Sequence, residues 1–135
     1  SDETRSVVLA DLNQDGILDI VAANIGEPNA VYLGSGGGHF DVGIPFGQDE
    51  GTYAAIVIDV DQDGGEDIVV GNVRGQNVLY LNEDGGTRWS EQLIGEEAEA
   101  TYGLAAADVN ADSFPDIAFA NSESLNRLFL NRSGR

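Results

Sequence analysis

Oxygen-bearing side chains recur at a fixed spacing in three short stretches of the chain. Residues 7–19 read VVLADLNQDGILD, residues 55–67 read AIVIDVDQDGGED, and residues 104–116 read LAAADVNADSFPD. Each stretch fits D-x-[DN]-x-D-x-x-x-D, and its first Asp recurs after 48 and then 49 residues. Alternating oxygen ligands on a tight loop suit Ca²⁺, a hard cation that takes roughly six to eight of them. The pattern therefore predicts one calcium loop per repeat, with up to three ions per chain.

The predicted ligands are the side chains at positions 1, 3, 5 and 9 of each loop, with the backbone carbonyl at position 7. They are Asp11, Asn13, Asp15, Ile17 (carbonyl) and Asp19 in the first loop; Asp59, Asp61, Asp63, Gly65 (carbonyl) and Asp67 in the second; and Asp108, Asn110, Asp112, Phe114 (carbonyl) and Asp116 in the third.

The three loops differ in quality. The second has four carboxylates and Gly64 at its sharp turn, so we expect it to bind most tightly. The third has Ser113 where the others have Gly, and Pro115 precedes its last ligand. A non-glycine residue with positive φ is strained, so we expect the third loop to be the weakest or to be distorted.

Other interpretations of the acidic loops fit less well. An EF-hand needs a bidentate Glu at position 12, where this chain has Ala22, Val70 or Phe119. Magnesium prefers a strict octahedron, and transition metals recruit Cys or His, but cysteine is absent and His39 lies outside every loop. Asp, Asn and Gly also form ordinary turns. Three loops with acids in register make that interpretation poor, because clustered carboxylates without a cation repel one another.

The segments around the loops also repeat. Each loop precedes an apolar run ending in Asn, and a third segment follows, NAVYLG, NVLYLN or NRLFLN. A fourth occurs twice, as HFDVGIPF at 39–46 and RWSEQLIG at 88–95. These segments read as short strands. The unit is thus about four antiparallel strands in roughly 45–50 residues, the size of a β-propeller blade. We predict an all-β fold of one domain, with repeats at 1–48, 49–97 and 98–135, about eleven strands, and no fourth strand in the last repeat.

These motifs resemble the FG-GAP/VCBS repeat family, which includes the blades of the integrin α-subunit propeller. The resemblance is carried by DLNQDGILDIVAAN, DVDQDGGEDIVVGN and DVNADSFPDIAFAN, and by NVLYLNEDGGTRW. It implies that each loop joins the first two strands of a blade and binds calcium through the residues named above. Ser113 departs from the family's glycine. The family fixes no ligand, because fold-level analogy does not fix function.

Composition narrows the partners. The net charge is −18, from 24 acidic and 6 basic residues, which disfavours nucleic acid and anionic membranes. No catalytic set can be assembled around the single histidine. We therefore expect no enzyme activity and a structural or adhesion-like interaction role. A carbohydrate-binding lectin and a non-catalytic accessory domain of a secreted enzyme remain alternatives. Calcium dependence favours an extracellular or periplasmic location.

Three blades cannot close a propeller ring. We expect either a homodimer that completes six blades or the remainder of a longer propeller, with a protein or glycan as ligand. Several aromatic and polar side chains also correspond between repeats. We interpret Arg5, Tyr53 and Tyr102 as packing between blades, Trp89 and Phe40 as inter-blade core, and Asn24, Asn72 and Asn121 as caps of turns.

Overall fold

The computed structural model describes residues 3–132, and every regular element in that range is a β-strand. The strands are β1 (Glu3–Ala10), β2 (Asp19–Ile25), β3 (Asn29–Tyr32), β4 (Gly34–Gly36), β5 (His39–Phe40), β6 (Ile44–Phe46), β7 (Thr52–Ile58), β8 (Asp67–Asn72), β9 (Asn77–Asn82), β10 (Trp89–Ile94), β11 (Ala100–Ala107), β12 (Asp116–Ser122) and β13 (Arg127–Phe129). The described part of the chain holds no helix with the length and apolarity to cross a membrane.

The strands form three main sheets, one per repeat. Sheet 1 has the order β1-β2-β3-β6, sheet 2 the order β7-β8-β9-β10, and sheet 3 the order β11-β12-β13. All pairings between neighbouring strands are antiparallel. The all-β, antiparallel prediction is confirmed.

The predicted fourth strand at 39–46 is wrong in its extent. The structure divides it, because β5 pairs with β4 in a separate hairpin and only β6 pairs with β3. The cause is the glycine run at 36–38, whose three residues all have positive φ and turn the chain back directly after β4. This hairpin accounts for the thirteen strands found within residues 3–132, where about eleven were predicted.

The apolar core lies between the sheets. One buried cluster joins sheet 1 to sheet 2 and includes Val21, Val31, Ile68 and Val70. A second joins sheet 2 to sheet 3. Neighbouring residues of β8 enter different clusters, since Ile68 and Val70 face sheet 1 whereas Val69 faces sheet 3. Sheet 2 is therefore covered on both faces, which explains why β8 is apolar along nearly its whole length and fully buried.

The predicted place of Phe40 in the core is wrong. Its side chain lies in the β4–β5 hairpin and is 42% exposed. Phe46 takes that place instead, because β6 rather than β5 is the fourth strand of sheet 1. The Phe46 ring lies 4.9 Å from the ring of Tyr80 and 5.9 Å from that of Trp89.

The first strand of each sheet carries a β-bulge near its start. The bulged residue is Arg5 in β1, Tyr53 in β7 and Tyr102 in β11. A bulge re-aims its side chain, and here it brings the three together. The Arg5 guanidinium lies 5.0 Å from the Tyr53 ring centroid, and the Tyr53 and Tyr102 centroids are 4.6 Å apart. They contact one another between the sheets, as the packing interpretation predicted.

Candidate metal loops

The first Asp of each loop organises the turn that follows it. The Asp11 carboxylate accepts the backbone N–H of Asp15 at 3.1 Å and that of Gly16 at 2.8 Å. Asp59 accepts the equivalent pair at 3.2 and 2.9 Å, and Asp108 at 3.0 and 2.8 Å. All three loops thus share one pattern of hydrogen bonds, from the backbone N–H groups of positions 5 and 6 to the carboxylate of position 1.

The Asp at position 5 holds the backbone of the loop at position 7. In each case one of its carboxylate oxygens accepts the N–H of the residue at position 7. The donors are Ile17 at 2.9 Å, Gly65 at 2.8 Å and Phe114 at 2.9 Å. The structure thus places the three residues whose carbonyls are predicted ligands. The ligand role of those carbonyls stays a prediction.

The last Asp of each loop has a structural role that the sequence did not reveal. Asp19, Asp67 and Asp116 are almost fully buried at the start of β2, β8 and β12. Asp67 accepts the N–H of Val60 at 3.0 Å and that of Asn82 at 2.9 Å, and thereby ties the loop to β9. Asp19 and Asp116 do the same with their equivalent partners. Each oxygen keeps a second lone pair for a cation, so this clamp and metal binding are compatible.

Two positions of each loop have left-handed backbone. Position 6 is Gly16 or Gly64 in the first two loops and Ser113, with φ 77°, in the third. The predicted strain at Ser113 is confirmed. Position 4 is also left-handed, at Gln14, Gln62 and Ala111, although none of these is glycine. The sequence carried no signal for position 4 because these residue types are ordinary loop residues.

The second loop brings its acids closest together. Carboxylate oxygens of Asp59, Asp61 and Asp67 all lie within 4.8 Å of one another. Burial raises the pKa of Asp67 to about 6, and the nearby charges of Asp61 and Asp63 add to that effect. Partial burial, with repulsion from Asp63, also raises the pKa of Asp61. Mutually repelling hard oxygen donors around one point are the donor set that Ca²⁺ takes, so these residues fit the ion.

A second constellation, missed at the sequence level, links the sheets through buried polar side chains. The Thr52 hydroxyl donates to Asn72 Oδ1 at 2.6 Å, and Asn77 Oδ1 accepts the Asn72 backbone N–H at 2.8 Å. Asn77 Nδ2 then donates to the Thr101 hydroxyl, in the next sheet, at 2.9 Å. We call this repeating series the Thr–Asn–Asn relay. Its other members are Thr4, Asn24 and Asn29 in sheet 1 and Asn121 and Asn126 in sheet 3.

The relay refines the turn-cap interpretation of the asparagines. Asn24, Asn72 and Asn121 do close the turn after the second strand, because each Nδ2 donates to a carbonyl four residues later. Their Oδ1 atoms do something else, since each accepts the threonine hydroxyl of the first strand. The Thr lead-in recurs in the sequence, and that recurrence was the available signal.

These features define an all-β repeat protein with one acidic loop between the first two strands of each sheet. Comparison with known families agrees. The profile of the FG-GAP-like repeat matches residues 11–70 and again residues 59–119, so that each match starts at the first Asp of a loop. The chain belongs to the FG-GAP-like repeat family. No curated protein matches the chain in a sequence search.

Proposed function

We propose that this chain is a calcium-binding β-propeller module in which each ion stabilises the loop between the first two strands of a blade. The observation that carries the proposal is the convergence of Asp59, Asp61 and Asp67 within 4.8 Å in a loop pattern that occurs three times. Each main sheet corresponds to one blade in this proposal. The first and third loops hold their ions through the equivalent residues.

Calcium would act as a fold-stabilising ion here. The position 9 acids are buried, and each already accepts two backbone N–H groups, one from its loop and one from a segment about 15 residues further on. Repulsion between carboxylates costs more where they are buried. An ion that neutralises the acids of the loop removes this repulsion. Because the unfolded chain has no preformed site, the binding free energy adds to the free energy of unfolding.

The biological role that we propose is interaction or adhesion without catalysis. The acids that recur in the sequence are accounted for by the loops and their clamps, and the net charge of −18 suits a cation-rich medium. Sites that depend on modest calcium affinity function where calcium is millimolar, so we place the protein outside the cell or in the periplasm. A protein or glycan ligand would bind elsewhere on the module.

Isothermal titration calorimetry of the chelator-treated chain with CaCl₂ tests the proposal. We expect saturable binding of up to three ions per chain. Asp61→Ala should remove binding at the second loop, because an Asp61 carboxylate oxygen lies within 4.8 Å of those of Asp59 and Asp67. The only backbone group that it holds within residues 3–132 is Asp63 N–H, at the long distance of 3.3 Å, so its loss should disturb the loop little.

The matched control is Asp41→Ala, which removes the same charge from an exposed residue outside the loops. We expect its stoichiometry to equal that of the parent chain. If both variants lose the same number of bound ions, the effect is one of net charge. A parent chain that gives no heat of binding on titration with CaCl₂ would refute the proposed function.

A further inference from the structure

The two ends of the relay each lack one contact that the internal junctions make, and the two missing contacts match each other. At the internal junctions Asn29 Nδ2 donates to Thr52 and Asn77 Nδ2 donates to Thr101, each at 2.9 Å. These two threonines are 1% and 0% exposed. Their equivalent in sheet 1, Thr4, is exposed. The donor end is Asn126, whose Nδ2 has no acceptor among residues 3–132, although its Oδ1 accepts the Asn121 N–H at 2.9 Å. One end offers an amide donor and the other a hydroxyl acceptor.

The three bulged residues form a row of contacting side chains, here called the ladder, which runs Arg5, Tyr53, Tyr102. This ladder also has complementary ends. The Arg5 guanidinium lies over the Tyr53 ring, and Tyr53 contacts Tyr102 edge to face. Tyr102 is 50% exposed. A guanidinium therefore stands at one end of the ladder and an open tyrosine ring at the other. A guanidinium over an aromatic ring is an attractive pairing, and the chain already makes it once within itself.

The outer face of sheet 1 and that of sheet 3 are the faces turned away from sheet 2. Both expose apolar side chains whose equivalents at the internal junctions are buried. Val60 corresponds to Leu12 and to Val109, and the exposed fractions are 5%, 1% and 58% respectively. Leu128 is 53% exposed, whereas its sheet 2 counterpart Leu79 is 8% exposed. On sheet 1 the open residues include Val7 and Leu9, at 57% and 58%. The exposed residues on these two faces thus occupy the positions that are buried at the internal junctions between the sheets.

We propose that the outer face of sheet 3 docks on the outer face of sheet 1 of a second copy of this chain, and that two copies close a ring through two such junctions. The occupant is a second copy because each end presents the partner that the other end needs. Asn126 then donates to Thr4 of the second copy, and Arg5 of that copy stacks on Tyr102. This head-to-tail pairing closes when the rotation per junction brings the second copy back to the first.

The new junction would lack two contacts that both internal junctions make. Gln14 Nε2 donates to the Gly64 carbonyl, and Gln62 Nε2 donates to the Ser113 carbonyl. The equivalent residue in sheet 3 is Ala111, which has no side-chain donor. Likewise, Asn82 donates to the Leu12 carbonyl and Asn131 to the Val60 carbonyl, but their sheet 1 equivalent is Gly34. The junction between copies is therefore weaker than the junctions within one chain.

Sedimentation velocity of the whole chain from micromolar to submillimolar concentration, in CaCl₂ and ordinary salt, tests the proposal. Salt and calcium matter because the charge of −18 opposes association. We expect a reversible species of twice the chain mass. Ala118→Arg places a charge on the outer face of sheet 3, at an exposed residue of β12, and should leave only monomer. Gln48→Arg, at an exposed loop residue, is the control that should leave the dimer intact.

Two further variants test the register of the junction. Asn126→Asp keeps the Oδ1 acceptor for the Asn121 N–H but replaces the Nδ2 donor, so it should weaken the dimer without lowering the melting temperature of the monomer. Ala111→Gln should supply the missing contact, because Ala111 has φ 62° where Gln14 and Gln62 both have φ 59°. We expect a dissociation constant roughly three- to tenfold lower, whereas Ala111→Ser, too short to reach, should not lower it.

The possible outcomes separate clearly. A dimer that responds to these variants as stated supports the proposal. A chain that stays monomeric at submillimolar concentration would overturn it and would assign the open faces to blades outside this chain. An indefinite series of larger oligomers would overturn closure by two copies. None of these results depends on whether the calorimetric calcium stoichiometry is as expected, so the two proposals fail separately.

Discussion

Replacing Thr52 by valine removes a hydroxyl that holds two buried asparagines at once. The hydroxyl donates to Asn72 Oδ1 at 2.6 Å and accepts from Asn29 Nδ2 at 2.9 Å. Asn72 and Asn29 are only 2% and 1% exposed, and within residues 3–132 these two atoms make no other hydrogen bond. Valine has nearly the same shape as threonine, so Thr52→Val deletes the hydrogen bonds and leaves the packing largely unchanged.

The expected loss follows from the number of groups left unpaired. Each buried polar atom without a partner costs about 1–3 kcal/mol, so two of them cost about 2–6 kcal/mol. The matched control is Thr52→Ser, which keeps the hydroxyl and both hydrogen bonds. It removes one methyl group, worth about 1 kcal/mol. Thr52→Val should therefore be destabilised by clearly more than Thr52→Ser.

Urea unfolding in calcium, followed by the fluorescence of Trp89, measures the difference. Trp89 is a suitable probe because its ring lies against Phe46 in the first inter-sheet cluster. The chain concentration must be the same for every variant. If Thr52→Val and Thr52→Ser have free energies of unfolding within about 0.5 kcal/mol of each other, the relay does not stabilise the sheet junctions. Thr101→Val should also be destabilised at the second junction, but by less than Thr52→Val, because Asn77 is buried whereas Asn121 is only half-buried.

Two other substitutions test the corrected core and the third loop. Phe46→Ala should lower the free energy of unfolding by about 3–5 kcal/mol, because the ring is 6% exposed and packs on Tyr80. Phe40→Ala is the control in the same urea experiment. Its ring is 42% exposed, so the free energy of unfolding should fall by less than about 1 kcal/mol. Ser113→Gly should raise the melting temperature, since it relieves a positive φ that costs about 1 kcal/mol in a non-glycine residue; a lower melting temperature would contradict the strain.

Much of the fold could be predicted from the repeats, because acidic loops and apolar runs carry strong local signals. The positions of Asp59 and Asp67 at the ends of one loop follow directly from the pattern. The extent of β6 did not follow, since the glycine turn of the first repeat pairs β5 with β4, whereas the equivalent glycines of the second repeat, Gly85 and Gly86, precede the single strand β10.

The relay and the acid clamps were out of reach for a different reason. Thr52 and Thr101 are typical strand residues, and nothing local shows that their hydroxyls meet an asparagine from the preceding sheet. The burial of Asp67 likewise arises from β9 passing beside the loop, with Asn82 N–H at 2.9 Å. Contacts between residues that are distant in sequence depend on how the sheets are arranged, and loop chemistry alone does not encode that arrangement.

The most direct test of calcium as a fold-stabilising ion is thermal unfolding of the chelator-treated chain, followed by circular dichroism, with and without excess CaCl₂. Calcium at a hundred times the dissociation constant adds about 2.7 kcal/mol per site to the free energy of unfolding. Even one occupied loop should therefore raise the melting temperature by about 10 °C. An equal concentration of MgCl₂ is the control and should raise it far less. A melting temperature that is the same in chelator and in calcium would contradict the central claim.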